Sequence, residues 1–125
     1  MSDSKVGKRV WIDATFADAP KLRDFYANVI GWTAHDHPMN DSTGDYADYS
    51  MRSPDGTDVA GVINQRGMNS GLPPVWIPYF AVANLEDAKT RAIAAGGEIL
   101  DYPSTKVVYV RDPAGAIVAL VQAGE

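Results

Sequence analysis

The sequence predicts an α+β fold in which one βαβββ module occurs twice. The main observation is an internal repeat: Asp18 precedes a helix-like segment that ends at Gly31, and both landmarks recur 66 residues later as Asn84 and Gly97. A second observation is that each half has the predicted order strand, helix, strand, strand, strand. Helices that pack on one side of a mixed sheet leave its other side open. We therefore expect an open, cup-shaped sheet with both helices on its outer face.

Composition limits the classes of protein that are possible. A chain of 125 residues with 46% hydrophobic and 22% charged residues is expected to form one domain over residues 1–125. The net charge of −5 and the lack of basic runs argue against nucleic acid as a partner. The chain has no cysteine and no apolar stretch long enough to span a membrane. We expect a cytoplasmic protein with no membrane partner.

The first half contains the clearest helix. Its apolar residues recur at i, i+3, i+4, i+7 and i+8, which is typical of a helix packed on a sheet, and Gly31 suits a left-handed helix end. The residues of this stripe are Leu22, Phe25, Tyr26, Val29 and Ile30. Strands are predicted at Val10–Phe16, Trp32–His37, Asp45–Arg52 and Thr57–Asn64, and Pro38–Gly44 is predicted to be a loop.

The second half repeats the same order of strands and helix after a linker at Gly67–Pro74. Asn84 is expected to cap a second helix, which Gly96 and Gly97 end. Strands are predicted at Val75–Val82, Glu98–Tyr102, Lys106–Arg111 and Ala116–Gln122. The two modules then cover about residues 9–66 and 75–123.

Three motifs, in this order along the chain, are similar to those of one known family. They are Phe25-Tyr26 followed by Gly31-Trp32, the strand-to-helix segment Tyr79–Ala88, and the turn Arg111–Gly115. Together they resemble the vicinal oxygen chelate superfamily, which contains glyoxalase I, bleomycin-resistance proteins and extradiol dioxygenases. The resemblance implies paired βαβββ modules that form an open cup, and a homodimer. It does not imply one reaction, because the fold hosts several.

Enzymes of this superfamily hold a metal with His and Glu side chains on the first and last strands of each module. The matching positions here are Trp11, Ala60, Ile77 and Ala119, and none of these side chains can coordinate a divalent cation. A shift of one residue changes nothing, because the neighbouring positions are Ile12, Pro78, Val59, Gly61, Val118 and Leu120. We expect no metal and no other cofactor.

The only two histidines, His35 and His37, have the i, i+2 spacing that places them on one face of a strand. With a carboxylate from Asp36, Asp41 or Asp45 they could bind a metal. The favoured interpretation is a solvated strand end, because these are not the superfamily's metal positions.

The predicted cup is lined by side chains that alternate along the first strand of each module. Asp13 and Tyr79 are equivalent in the repeat and are expected to approach each other across the floor of the cup. The full set of predicted lining residues is Trp11, Asp13, Thr15, Ala60, Ile77, Tyr79 and Ala119. Along strand 45–52, either Tyr46, Asp48, Ser50 and Arg52 or Ala47, Tyr49 and Met51 face the cup. Trp32, Trp76, Phe25 and Tyr26 are predicted to be packing residues.

Three functions are compatible with this pattern. The first is a glyoxalase/bleomycin-resistance-like protein that binds a small apolar or aromatic molecule in the cup without the usual metal. The second is a metal-independent enzyme of the same superfamily that uses Asp13 as general acid or base, with Tyr79 orienting the substrate. The third, a metal-dependent lyase or dioxygenase, is disfavoured by the side chains at the ligand positions.

Overall fold

The computed structural model of the chain describes residues 3–124, so residues 1, 2 and 125 of the predicted domain lie outside the described part. Its contacts divide into two compact units. The N-terminal unit is Ile12–Trp76, and within the described residues the C-terminal unit combines residues 3–11 with residues 77–124. Each unit packs one α-helix against strands of a mixed sheet, which confirms the α+β class. Neither helix in residues 3–124 is long and apolar enough to cross a membrane.

The first module has its elements in the predicted order. They are β1 (Arg9–Phe16), α1 (Ala19–Ile30), β2 (Thr33–Asp41), β3 (Gly44–Arg52) and β4 (Asp58–Asn64). In the N-terminal unit the strand order is β2-β3-β4-β1, with β1 parallel to β4 and the other pairs antiparallel. Strand β2 therefore lies at the edge of this order.

The second module also follows the predicted order. It consists of β5 (Trp76–Val82), α2 (Leu85–Ala94), β6 (Glu98–Ile99), β7 (Val107–Arg111) and β8 (Ile117–Gln122). The strand order of the C-terminal unit is β5-β8-β7-β6, and β5 is parallel to β8. The chain just before β1 binds β5, since the Gly7 amide donates to the Ala81 carbonyl at 2.8 Å. Leu85, Val108 and Val110 form the core between α2 and the strands.

Helix α1 ends at Gly31 and helix α2 begins after Asn84, as predicted, whereas α2 ends at Ala94 with Ala95 as its C-cap, just before Gly96. The Asp18 side chain accepts a hydrogen bond from the Lys21 amide, and the Asn84 side chain accepts one from the Asp87 amide. Such caps satisfy amides that have no partner within the helix. Gly31 has φ of 90°, a left-handed conformation that glycine adopts without steric strain.

Of the two residues of the α1 stripe predicted to pack in the core, Tyr26 does so, and the prediction is wrong for Phe25. Leu22 and Tyr26 pack against the core of the N-terminal unit. Phe25, Val29 and Ile30 are 53%, 63% and 50% exposed. The stripe spans a wider arc of the helix than the sheet beneath it covers, so only one side of the stripe is buried.

The prediction of a loop at Pro38–Gly44 is also wrong, because β2 continues through Pro38 to Asp41. Proline lacks an amide proton and is tolerated on an edge strand, where one side of the backbone needs no partner. In contrast, β6 is shorter than predicted and ends at Ile99. The predicted linker contains a 3₁₀ turn, Gly67–Gly71.

The end of the β2–β3 hairpin is held by a charged cluster. The Arg66 guanidinium donates to both carboxylate oxygens of Asp41, at 2.9 and 2.7 Å, and also to the Thr43 hydroxyl. It lies 4.0 Å from the centre of the Tyr46 ring. These hydrogen bonds, first from Arg66 and then from Thr43, lower the pKa of Asp41 from 3.8 to about 2.

We expect Arg66→Met to raise the pKa of the Asp41 carboxyl towards its ordinary value. A carboxyl whose pKa is lower in the folded state stabilises the fold above its unfolded pKa and loses this effect as the pH falls. The wild type should therefore be more stable than the variant above about pH 4, and this difference in the free energy of unfolding should disappear as the pH falls from about 4 to about 2. Carbon-detected NMR titration of Asp41 measures the pKa, and urea unfolding across this range measures the difference in stability.

Arg91→Met is the matched control for this titration. Arg91 forms an exposed pair with Asp87 in α2, so the pKa of Asp41 should not change in this variant. An unchanged pKa of Asp41 in Arg66→Met would show that the ion pair does not control this carboxyl.

Candidate ligand-binding site

Each unit has a helix on one side of its strands, and we call the opposite side of the strands its open face. In β3 of the N-terminal unit, Tyr49 and Met51 are buried in the core on the helix side. Side chains alternate along a strand. The open face therefore carries the other set, which is Tyr46, Asp48, Ser50 and Arg52. This choice of face was left undecided by the sequence.

The open face of the N-terminal unit is polar. The register of the strands places Asp13 beside Gly61, Gly61 beside Ser50, and Ser50 beside His35, in one row across four strands. Asp13 is half-buried. Gly61 contributes no side chain between the Asp13 carboxylate and Ser50. Thr15 follows Asp13 on this face but is only 2% exposed, so it offers a ligand little surface.

Ala60, a predicted lining residue, lies in the core on the helix side and is fully buried beside Met51. The cause is a bulge: Met51 pairs with Ala60, whereas the next residue, Arg52, pairs with Asp58. Val59 is thus an extra residue in β4. One extra residue reverses the faces of all residues that follow. Counting along the internal repeat predicts that Ala60 lies on the open face, but Gly61 occupies this position.

Asp48 lies at the end of the polar face and is only 9% exposed. One of its carboxylate oxygens accepts hydrogen bonds from the Asn64 backbone amide at 2.9 Å and from the Asn64 side-chain amide at 3.0 Å. A buried carboxylate is tolerated only with such partners. We assign this pair a structural role.

The open face of the C-terminal unit is aromatic. Tyr79 of β5 and Tyr109 of β7 both pair with Ala119 of the intervening strand β8. Their hydroxyl oxygens are 2.5 Å apart, and their rings meet edge to face with centres 6.0 Å apart. Ala119 is completely buried and Tyr109 is only 3% exposed, so the half-buried Tyr79 carries the surface of this row that a ligand can reach. The small side chain of Ala119 leaves room for the two phenols to meet across β8.

Tyr102 extends this aromatic face, with its ring centre 4.7 Å from that of Tyr109. Tyr102 and Tyr109 also line a cavity of about 340 Å³, but Lys89 of α2 and Val108 of the core beneath this helix line it too, so the cavity lies on the helix side and not on the open face. Sequence reasoning missed both residues, because the contacts of Tyr109 with Tyr79 and of Tyr102 with Tyr109 depend on the tertiary structure.

Two further predicted residues belong to the C-terminal unit. Trp11 is half-buried and shares a face of β1 with Asp13, whereas Ile77 is 1% exposed. Tyr79 belongs to the C-terminal unit and Asp13 to the N-terminal unit. The approach of these two residues stays a prediction.

The side chains do not fit the metal that the superfamily implies. Trp11, Ile77, Ala119 and the pair Ala60 and Gly61 offer no donor atoms at the expected positions. Across residues 3–124, no three His, Cys, Asp or Glu side chains are grouped so that they could hold a metal ion. No catalytic step through such a metal can be derived from these residues.

The fold and the motifs define a glyoxalase-like protein. Residues 9–121 match the glyoxalase-like domain family, so the chain belongs to this family and to the vicinal oxygen chelate superfamily. Methylmalonyl-CoA epimerase from Mycobacterium tuberculosis has the same fold, with a TM-score of 0.59 and 12% identity over 100% of this chain and 94% of its own. Homoprotocatechuate 2,3-dioxygenase from B. fuscum has a TM-score of 0.51 and 16% identity, covering 98% of this chain and 35% of its own.

Two curated relatives are more similar in sequence. CFP32 of Mycobacterium tuberculosis, which its name provisionally assigns to the glyoxylases, is 29% identical over 98% of this chain and 48% of its own length. The anthracycline biosynthesis protein DnrV of Streptomyces peucetius is 28% identical over 94% of this chain and 48% of its own. The chain thus spans about half the length of the curated relatives that it matches.

Proposed function

We propose that this protein binds a small apolar or aromatic molecule on the open face that carries Tyr79, Ala119 and Tyr109, without the usual metal of its superfamily. The observation that carries the proposal is the aromatic row. Two phenol rings meet over a small residue, and the half-buried Tyr79 and Tyr102 are the members of the row that a ligand can reach. Aromatic walls with a few polar points are typical of small-molecule sites. A relative named for the biosynthesis of anthracyclines, which are polycyclic aromatic compounds, supports this ligand class.

The experiment uses prodan, a neutral naphthalene probe whose fluorescence depends on its environment. We expect saturable binding to the full chain, weakened at least about tenfold, or about 1.4 kcal/mol, by Tyr79→Ala or Tyr102→Ala. Met68→Ala is the control, because Met68 is an exposed apolar residue in the 3₁₀ turn Gly67–Gly71 of the N-terminal unit. Loss of binding in Met68→Ala, or no saturable binding to the wild type, would contradict the proposal.

An enzyme that uses Asp13 is the second candidate function. Two observations favour it. The Asp13 carboxylate is half-buried, and its neighbour on β4, Gly61, has no side chain. Asp13→Asn separates the two candidates once a substrate is identified. An enzyme should lose turnover and keep binding, whereas unchanged turnover would remove Asp13 from the mechanism.

Metal independence is also part of the proposal and is tested by metal analysis. The variant His35→Asn/His37→Asn is suitable because it lacks both imidazoles of the chain. Stoichiometric Zn, Ni, Mn or Fe in this purified variant would overturn metal independence.

We further propose a cytoplasmic homodimer. The exposed apolar side chains of α1, Phe25, Val29 and Ile30, support self-association. Sedimentation equilibrium of the full chain tests this, and a monomer mass at all concentrations would rule out the dimer.

A further inference from the structure

The two histidines of the chain form a pair at the edge of the N-terminal unit. His35 and His37 lie on the same face of β2 with both side chains exposed. Their ring centres are 5.1 Å apart, with an angle of 77° between the ring planes. The rings are therefore close enough to act together on one ligand.

This spacing suits two imidazoles bound to one metal ion. A metal–nitrogen bond of about 2.0 Å and an N–metal–N angle between square-planar and tetrahedral place the two ring centres roughly 4.5 to 5 Å apart. The observed 5.1 Å is close to this range, so small side-chain rotations would bring one nitrogen of each ring to a shared ion.

A third donor lies at the same place. Ser50 of β3 is the direct cross-strand partner of His35, and its hydroxyl oxygen is 2.6 Å from Nε2 of His37. The hydroxyl thus lies beside both histidines. When an ion is bound through Nε2, this oxygen is positioned to coordinate it or to bind a water on it.

The surrounding charge favours a cation. Asp48 is the cross-strand partner of His37, and the chain carries a net charge of −5, whereas Asp36 faces the opposite side of β2 from the histidines. Asp41, which the sequence offered as a possible third ligand, is instead bound by Arg66. The donor set is therefore two nitrogens and a hydroxyl, without a carboxylate.

We propose that His35, His37 and Ser50 form a site for a divalent transition-metal ion of the Cu²⁺, Ni²⁺ or Zn²⁺ type, with water at the remaining positions. Imidazole nitrogen is a preferred ligand of these ions, and for a given site Cu²⁺ is expected to bind most tightly. The site lies on β2 and β3, apart from the first and last strands that carry the superfamily's metal. It is independent of the proposed aromatic ligand.

The test is a titration of the full chain with NiCl₂, followed by calorimetry and by NMR of the imidazole nitrogens. Because the chain has only two histidines, both imidazole signals can be assigned with single variants. We expect one Ni²⁺ per chain and perturbation of both rings. His35→Asn and His37→Asn should each weaken binding by at least about 100-fold, because loss of even an outer partner of a metal ligand costs about 10–100-fold. Ser50→Ala should have a smaller effect.

Asp36→Asn is the matched control, since it removes a neighbouring charge and leaves both imidazoles. It should change the Ni²⁺ affinity by less than about threefold, which is much smaller than the effect expected from removing one histidine. MgCl₂ should not compete, because Mg²⁺ prefers oxygen ligands. Wild-type affinity in the His35→Asn/His37→Asn variant, competition by Mg²⁺, or no saturable Ni²⁺ binding would each overturn the proposal. Prodan binding is measured in the same samples and should be unaffected.

Discussion

Replacing Met51 by alanine is expected to lower the free energy of unfolding by about 2–5 kcal/mol. Met51 is fully buried and is among the largest of the fully buried side chains. It packs with Tyr49, Ala60 and Val62 in the core between α1 and the strands of the N-terminal unit. Truncation removes apolar contacts and leaves a cavity that small neighbours such as Ala60 cannot fill.

Urea unfolding followed by tryptophan fluorescence measures this change. The midpoint should fall while the slope with urea stays constant, because the surface exposed on unfolding changes little. Met68→Ala is the matched control, since Met68 is 55% exposed and its truncation should change stability by less than about 0.5 kcal/mol. Equal effects of the two substitutions would show that the core does not depend on Met51.

Replacing Asn64 by leucine is expected to lower the free energy of unfolding by about 2–4 kcal/mol. The Asn64 side-chain amide donates to the Asp48 carboxylate at 3.0 Å and to the Ala47 carbonyl at 2.5 Å. Leucine has a similar size but no donor. In the variant, the Asp48 carboxylate would keep the hydrogen bond from the backbone amide of residue 64 and lose the one from the side chain. Water cannot easily replace the lost bond, because Asp48 and Asn64 are each only 9% exposed.

A double-mutant cycle with Asp48→Ala separates the pair from each residue's own contribution. The loss in the double variant should be smaller than the sum of the single losses, because the carboxylate that needs a partner is gone. Asn28→Leu on the exposed side of α1 is the control and should change stability by less than about 0.5 kcal/mol. Additive losses would contradict a direct Asp48–Asn64 interaction.

Local features of the fold could be predicted because their causes are local. The caps at Asp18 and Asn84 and the left-handed glycine at Gly31 act within one helical turn. The same is true of the turn that follows Ser53, where the Gly56 amide donates to the Ser53 carbonyl. Such signals are complete within a few residues of sequence, so the order of elements follows from them.

Burial on α1 could not be predicted with the same accuracy. The periodicity that places Phe25 and Tyr26 in one stripe is real, but Tyr26 packs against the core while Phe25 is exposed. Periodicity gives the apolar side of a helix. It does not give the width of the sheet that the helix covers, which depends on strands distant in sequence.

The sequence by itself determined the two βαβββ modules, the helix ends, the polar and aromatic residues that alternate along the strands, and the lack of donor side chains at the superfamily's metal positions. Only the tertiary structure decided which of these residues are neighbours. The bulge at Val59 puts Gly61 on the open face and Ala60 in the core, and strand pairing brings Tyr79 to Tyr109. The physical reason is that a side chain's face depends on register, which a single extra residue reverses, whereas its partners depend on hydrogen bonds between strands far apart in the chain.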